Sequence, residues 1–170
     1  MSAAVSKRDT RSAAQPGASI AGAPAAGRAN ATAIARLRPD HAGVSVGDLE
    51  ASIAWYRDML GFELVRVVDI PEAEDAGRVA LVRHGDFIVE LFCLSGAAPL
   101  PDERRHPATD LRTHGTKHMA YAVPDLAALM DGLKGKNVDV VWDIAVHDGD
   151  RCAFVRDNTG NLVEFVERPD

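Results

Sequence analysis

One stretch of the chain sets its architecture: His118-Met119-Ala120-Tyr121-Ala122-Val123-Pro124-Asp125-Leu126. An earlier stretch has the same plan: His41-Ala42-Gly43-Val44-Ser45-Val46-Gly47-Asp48-Leu49. Both open with histidine, alternate small and large side chains, and end in Asp-Leu at the start of an amphipathic segment. Because a unit that recurs at this size dictates the architecture, we expect the chain to contain two modules of one design.

The first module, residues 40–94, is predicted to have the order βαβββ. An alternating pattern predicts a strand, and Asp48 then caps a helix that Gly61 ends. Three more apolar runs bounded by turn residues predict the remaining strands. The four predicted strands cover residues 41–46, 62–70, 78–83 and 86–94.

The second module, residues 115–168, repeats that order. Asp125 is its predicted helix cap, and Asp157 begins a turn that Gly160 completes. Its predicted strands cover residues 116–123, 138–144, 151–156 and 162–167. A connector, residues 95–114, joins the modules; it is long for a passive loop, so we expect it to cover a site. The fold class is therefore α+β, with one domain at residues 39–170.

The N-terminal segment, residues 1–38, differs in composition from the rest of the chain. It is rich in Ala and Arg and has almost no periodic large apolar residues, so we expect it to be disordered. It holds six basic residues and one acidic residue, a net charge of +5. Since the whole chain carries −6, the remainder carries −11. An acidic body argues against nucleic acid as a partner.

Two further features bear on where the protein works. The chain has no run of 18 apolar residues, so no membrane-spanning helix is expected. Its two cysteines, Cys93 and Cys152, are too few for a disulfide framework. We therefore expect two reduced thiols in a cytoplasmic protein.

The two modules also close alike. Residues 85–91 end the first module and include Glu90, and residues 160–165 end the second and include Glu164. A carboxylate within an apolar strand is costly unless it is paired or bound to a metal. Each of these carboxylates accompanies an equivalent histidine, His41 or His118.

These four side chains are therefore candidate metal ligands. Side chains alternate across a strand, so the face of each first strand that carries the histidine otherwise holds only small residues, which suits a cavity. Two imidazoles and two carboxylates suit Zn, Ni, Co, Mn or Fe(II), and the residues alone do not choose among these metals. The ligand set predicted from the sequence is His41, Glu90, His118 and Glu164.

At this point the chain resembles a known family, the vicinal oxygen chelate superfamily, over residues 40–168. Its four-ligand pattern is most similar to glyoxalase I and the methylmalonyl-CoA epimerases. The resemblance implies two βαβββ units that form an incomplete barrel around a metal site. The matching segments are His41 with Val46-Gly47-Asp48-Leu49, Trp55 to Phe62, Ile88-Val89-Glu90-Leu91, Gly115-Thr116-Lys117-His118 and Gly160 to Phe165.

The resemblance also implies a chemistry. In the four-ligand members a divalent metal stabilises an enediolate or enolate of a small carbonyl or thioester substrate. A carboxylate moves the proton, so Glu164 and Glu90 are the candidate catalytic residues of a lyase, isomerase or epimerase. Such an enzyme would be a homodimer acting on a small molecule, its site formed within one chain or shared between swapped chains.

Two alternatives stay open. One is an Fe(II) ring-cleaving dioxygenase, in which the resemblance implies that the counterpart of Glu90 is not a ligand. The other is a non-catalytic drug-binding protein of the bleomycin resistance type. Outside the ligand set, Arg104 and Arg105 of the connector are candidates to hold a substrate carboxylate or phosphate, or else form a solvated charge pair.

Overall fold

The computed structural model describes residues 38–71 and 76–169. The expected disorder of residues 1–38 therefore concerns a segment that lies, apart from Arg38, outside the described residues. In the first module the strands are β1 (His41–Ser45), β2 (Glu63–Ile70), β3 (Gly77–His84) and β4 (Phe87–Leu94), and the helix is α1 (Leu49–Leu60).

The second module has the same βαβββ order. Its strands are β5 (Met119–Ala122), β6 (Asp139–His147), β7 (Asp150–Arg156) and β8 (Leu162–Glu167), and its helix is α3 (Leu126–Gly135). Between the modules, a 3-10 turn (Asp102–Arg104) and a short helix α2 (Pro107–Asp110) interrupt the connector.

Each module forms its own four-stranded mixed sheet. The strand orders are β1-β4-β3-β2 and β5-β8-β7-β6. In both sheets the first strand pairs in parallel with the last strand of the module, and the other pairs are antiparallel. The α+β class and the two-module plan are thus confirmed, as two open sheets that do not close into a barrel.

Local sequence explains where both long helices begin and end. The Asp48 carboxylate accepts a hydrogen bond from the amide of Ala51 at 2.9 Å, which satisfies one free donor of the first turn of α1. Asp125 does the same for Ala128 in α3, also at 2.9 Å. Gly61 ends α1 with a φ of 71°, a left-handed conformation that glycine adopts without penalty.

The helices cover one face of each sheet. Tyr56 and Leu49 of α1 are fully buried against Val89 and Leu91 of β4. The second core is built in the same way from α3 and the strands β7 and β8. Its buried members are Leu126, Met130, Leu133, Ala153, Val155, Val163 and Phe165.

Hydrogen bonds join the two modules at the turn between β7 and β8. The Asn161 side-chain amide donates to the carbonyl of Ser45 at 3.1 Å, and the Gly47 amide donates to the Thr159 hydroxyl at 3.2 Å. Both contacts fix the end of β1 beside this turn. The first strand of the first module is therefore held beside the second module.

Some boundaries differ from those predicted. Strand β5 begins at Met119 rather than at residue 116, because Thr116 and Lys117 are engaged by the connector. The turn of the first hairpin lies at Gly85-Asp86, one residue later than expected. Strand β6 runs on to His147, with register shifts that a pattern of alternation does not reveal. No helix within residues 38–71 and 76–169 is long and apolar enough to cross a membrane.

Candidate metal centre

The first predicted pair of ligands is brought together by the parallel pairing of β1 with β4. Gly43 lies opposite Glu90 in this ladder, and His41 lies opposite Ile88, so His41 and Glu90 share one face of the sheet. His41 Nε2 is 3.4 Å from Glu90 Oε2. The histidine side chain is 46% exposed and the glutamate 24%, so the pair faces open space rather than the core.

The second pair repeats this geometry in the other sheet. Ala120 lies opposite Glu164, and His118, directly before β5, places Nε2 3.0 Å from Glu164 Oε2. The side chains are 30% and 18% exposed. The repeat in sequence is therefore a repeat of one His–Glu pair on the helix-free face of each sheet.

A single chain does not gather the four ligands at one point. Among the residues described, no three His, Cys, Asp or Glu side chains lie close enough together to hold a metal ion. The two pairs lie on separate sheets. The four predicted ligands can therefore share one metal ion only if two copies of the chain come together. The ligand set stays a prediction.

In each pair the imidazole Nε2 lies within reach of a carboxylate oxygen, and its role depends on which ring nitrogen carries the proton. With the proton on Nε2 the ring donates a hydrogen bond to the carboxylate; with the proton on Nδ1, the Nε2 lone pair and the carboxylate oxygen are two donor atoms that a metal ion can join. The donor set fits a divalent metal, since imidazole nitrogen and carboxylate oxygen are the ligands such ions take. The chemistry of these atoms supports the predicted ligands.

Asp40 is a functional candidate that the sequence analysis missed. Its Oδ2 lies 2.8 Å from His41 Nδ1. This hydrogen bond, and next the charge of Glu90, raises the pKa of His41 above its usual value. In the neutral ring, a proton held on Nδ1 by Asp40 leaves the Nε2 lone pair free for a metal. The position of an acidic residue directly before a predicted ligand histidine was the feature of the sequence that could have indicated this partner.

Aromatic side chains surround the second pair. Phe154 of β7 meets the His118 ring edge-on, with ring centroids 5.1 Å apart, and stacks on Trp142 at 6.0 Å. Phe154 lies opposite Glu164 in the ladder. These rings make an apolar wall beside the carboxylate, and burial raises the pKa of the neighbouring Cys152 thiol, with Glu164 adding to the shift.

The small residues next to the two histidines leave open space in the second module but not in the first. Ala120 and Ala122 are exposed and leave space beside His118, as the pattern predicted. In the first module Phe92 fills that space, because a Cβ on Gly43 would lie 3.0 Å from its ring. A side chain at this position would therefore press on the phenylalanine ring unless the ring moved by a few tenths of an ångström.

The two connector arginines do not behave as predicted. The Arg104 guanidinium donates to the Asp110 carboxylate at 2.9 Å and to the Thr116 carbonyl. Lys117 donates to the carbonyls of Asp110 and Thr113. Asp110 is 1% exposed, so this is a partly buried ion cluster directly before His118 rather than a solvated charge pair. It holds the connector against the start of β5.

Arg105 lies across the turn between β7 and β8. A Cβ on Gly160 would lie 2.8 Å from the centre of the guanidinium, so this glycine makes room for it. The Arg105 carbonyl accepts a hydrogen bond from Arg156 Nε at 2.8 Å. Arg105 therefore packs on the turn, in contact with the second module.

Two cavities adjoin these elements. A cavity of about 270 Å³ opens between the backbone of β1 and the segment before β5, and His118, Arg104 and Lys117 line it. A larger cleft of about 1000 Å³ lies beside Cys93 and Arg78, and none of the four predicted ligands lines it. The smaller cavity is thus the one that adjoins the site.

With fold and site described, comparison with known proteins identifies the family. The model of the Glyoxalase/Bleomycin resistance protein/Dioxygenase superfamily matches residues 38–165. The chain belongs to this superfamily, which confirms the resemblance seen in the sequence.

Relatives at the level of sequence carry two kinds of name. An uncharacterized protein of Escherichia coli, YaeR, is 30% identical over 129 residues, which is 75% of this chain and 94% of YaeR. A lactoylglutathione lyase of Haemophilus influenzae is 28% identical over 131 residues, 75% of this chain and 90% of that protein.

Solved structures of the same family have a fold similar to that of this chain. The trypanothione-dependent glyoxalase I of Leishmania major matches with a TM-score of 0.59 and 25% identity, over 77% of this chain and 86% of that one. A glyoxalase family protein from Enterococcus faecalis matches with a TM-score of 0.65 over 76% of this chain and 97% of that one. At 21% identity the latter likeness concerns the fold alone.

Proposed function

We propose that this protein is a metal-dependent lyase, isomerase or epimerase, acting on a small carbonyl or thioester substrate, and that two copies of the chain assemble its site. One observation carries the proposal: the same His Nε2–Glu Oε2 approach occurs at equivalent places in both modules, at 3.4 Å and 3.0 Å. The names of the relatives, among them lactoylglutathione lyase, support the reaction class.

A second copy is needed because each face carries only half of a four-ligand set. His41 and Glu90 of one copy would meet His118 and Glu164 of the other, and a two-fold axis would create two such sites. The open face of the first sheet supports this. Val68 shares that face with Phe92 through the β2–β3–β4 register and is still 42% exposed. Covering such an exposed apolar side chain with a partner would stabilise the assembly.

The four side chains would hold the metal through two imidazole nitrogens and two carboxylate oxygens. When bound, a divalent ion supplies positive charge beside adjacent oxygens of the substrate, where negative charge develops in the reaction. Glu164 and Glu90 are then placed to take a proton from carbon and return it. Phe154 would exclude water from the Glu164 side, because it packs against His118 at the same register position as that carboxylate.

Glutamate exchange separates these roles. Glu90→Gln and Glu164→Gln keep the shape and one oxygen donor but remove a base. We expect at least one change to cut turnover by about 100-fold, the contribution of a positioned base, while metal content falls less. The assay substrates are thiol adducts of 2-oxoaldehydes and epimers of acyl-CoA thioesters, with protein purified without added metal.

The outcomes distinguish the candidate functions. Near-normal turnover in both variants with metal retained would contradict proton transfer by these carboxylates. Iron in the purified protein, ring cleavage of a catechol, and a mild effect of Glu90→Gln would indicate the dioxygenase instead. We also propose a cytoplasmic location, because Cys93 and Cys152 are both free thiols.

A further inference from the structure

The two ligand faces differ in a way that bears on the substrate. Paired residues on neighbouring strands point to the same face of a sheet, so the register defines a row of side chains through each candidate base. The row through Glu164 is Ala120, Glu164, Phe154 and Trp142. The row through Glu90 is Gly43, Glu90, Leu81 and Arg66. Where the second module has a tryptophan, the first therefore has an arginine.

A second arginine lies beside the first. Arg83 pairs with Ile88 on β4, two residues from Glu90, and so faces the same side of the sheet. It is 50% exposed and its guanidinium is 3.6 Å from Glu63, an exposed pair that is weakly held. Its counterpart, Arg156, is instead fixed by Asp139 at 2.8 Å and by the carbonyl of Arg105.

The first module thus presents exposed positive charge on its ligand face. Within residues 38–71 and 76–169, Arg66 forms no ion pair. The body has a net charge of −11, so two arginines on the face that carries a candidate base form a local positive patch that would attract a negatively charged group. Glu63, the acid paired with Arg83, is itself 79% exposed and easily displaced by a better-placed anion.

We propose that Arg66, assisted by Arg83, binds a carboxylate at the far end of the substrate, while Phe154 and Trp142 contact its apolar part. This rests on the proposed function, since it takes the reacting end of the substrate to lie at the His–Glu pairs. Arg66 is two strand spacings from Glu90, about 10 Å between backbones. An arginine side chain spans part of that distance, and its planar fork matches a carboxylate. The substrate class is therefore a carbonyl compound with a carboxylate a few bonds from its chelating oxygens.

Two pairs of 2-oxo acids test this directly. The probes 2-oxoadipate and 2-oxohexanoate share the chelating end and differ by a terminal carboxylate, and 2-oxoglutarate and 2-oxovalerate form a shorter pair. Calorimetric titration of the metal-loaded protein should show roughly tenfold tighter binding of the dicarboxylate in at least one pair, as expected for charged hydrogen bonds. In Arg66→Gln that ratio should fall close to one, with the monocarboxylate Kd unchanged within about twofold.

Arg78→Gln is the matched control. Arg78 lies on β3 and points to the opposite face of the sheet, where it pairs with Glu50 at 2.7 Å. Its replacement removes the same charge as Arg66→Gln. The Arg78→Gln protein should keep the wild-type ratio of dicarboxylate to monocarboxylate affinity. Equal affinities within both probe pairs, or a preference that survives Arg66→Gln, would overturn the proposal and leave the metal site standing. Failure of every probe to bind would instead count against the chelating site itself, and against the proposal with it.

Discussion

The Tyr56 hydroxyl in the first module donates a hydrogen bond to Asp157 Oδ2 in the second module, at 3.4 Å. Asp157 is 4% exposed, and its Oδ1 accepts the amides of Thr159, Gly160 and Asn161 at 2.8–2.9 Å. One carboxylate therefore closes the turn between β7 and β8 and contacts the other module. The low-dielectric surroundings and the nearby Asp157 charge raise the pKa of Tyr56 far above its usual value, so it stays a donor.

Replacing this carboxylate should destabilise the fold. Asp157→Ala removes the acceptor of four hydrogen bonds from the turn and one from Tyr56, which are buried or half-buried, and a buried donor left without an acceptor costs about 1–3 kcal/mol. We expect the free energy of unfolding to fall by roughly 3 kcal/mol or more, measured by urea denaturation. Tyr56→Phe removes only the long hydrogen bond and should cost at most about 1.5 kcal/mol. Equal losses in the two variants would show that the turn does not depend on Asp157.

The connector cluster gives a second prediction. Asp110→Asn leaves Arg104 and Lys117 without their shared counter-charge in a partly buried place. Breaking a fully buried pair costs roughly 3–5 kcal/mol; both cations are about a quarter exposed, so we expect the lower part of that range or less. Asp143→Asn is the control, because its pair with Lys134 is exposed and is worth at most about 1 kcal/mol. Similar losses of stability in both would contradict the role given to Asp110.

Asp40 gives a prediction about metal affinity. Asp40→Ala removes the hydrogen bond that holds the His41 proton on Nδ1, and loss of such a partner typically weakens metal binding by about 10–100-fold. Competition with a chelator of known affinity measures the effect. Asp86→Ala, at the exposed turn of the first hairpin, should leave the affinity unchanged. An Asp40→Ala protein with wild-type affinity would show that this carboxylate does not orient the ring.

The sequence was sufficient for the plan of the fold and for the pairing of ligands within each module. A repeat and strict alternation predict which face a side chain takes, so the pairing of His41 with Glu90 and of His118 with Glu164 follows from the sequence alone. The alternation of side chains along a strand does not predict which faces of the two sheets come together. That depends on how whole sheets pack or assemble, and a single chain leaves the two pairs apart.

Other features arise from tertiary contacts alone. Arg104 could not be placed from its neighbours in sequence, because its partner Asp110 becomes buried only when the connector folds over the start of β5. Phe92 covers Gly43 for a similar reason: the register of β1 with β4 brings its ring there. Register also reveals that Arg66 and Trp142 are counterparts, because a register shift directly before each residue decides which face of the sheet it takes.

The central claim is that one metal site draws two ligands from each of two chains. Two variants carrying different affinity tags, His41→Ala and His118→Ala, can be produced together and purified through both tags. In such a hybrid dimer, one shared site would combine the intact His41 of one chain with the intact His118 of the other. The second site would lack both histidines.

Metal content per dimer is the measurement that decides. Each variant alone should lose metal from both sites, while the hybrid should regain one tightly bound metal ion per dimer, half the wild-type amount, with turnover restored in proportion. A hybrid that holds no more metal than either variant alone would contradict the account.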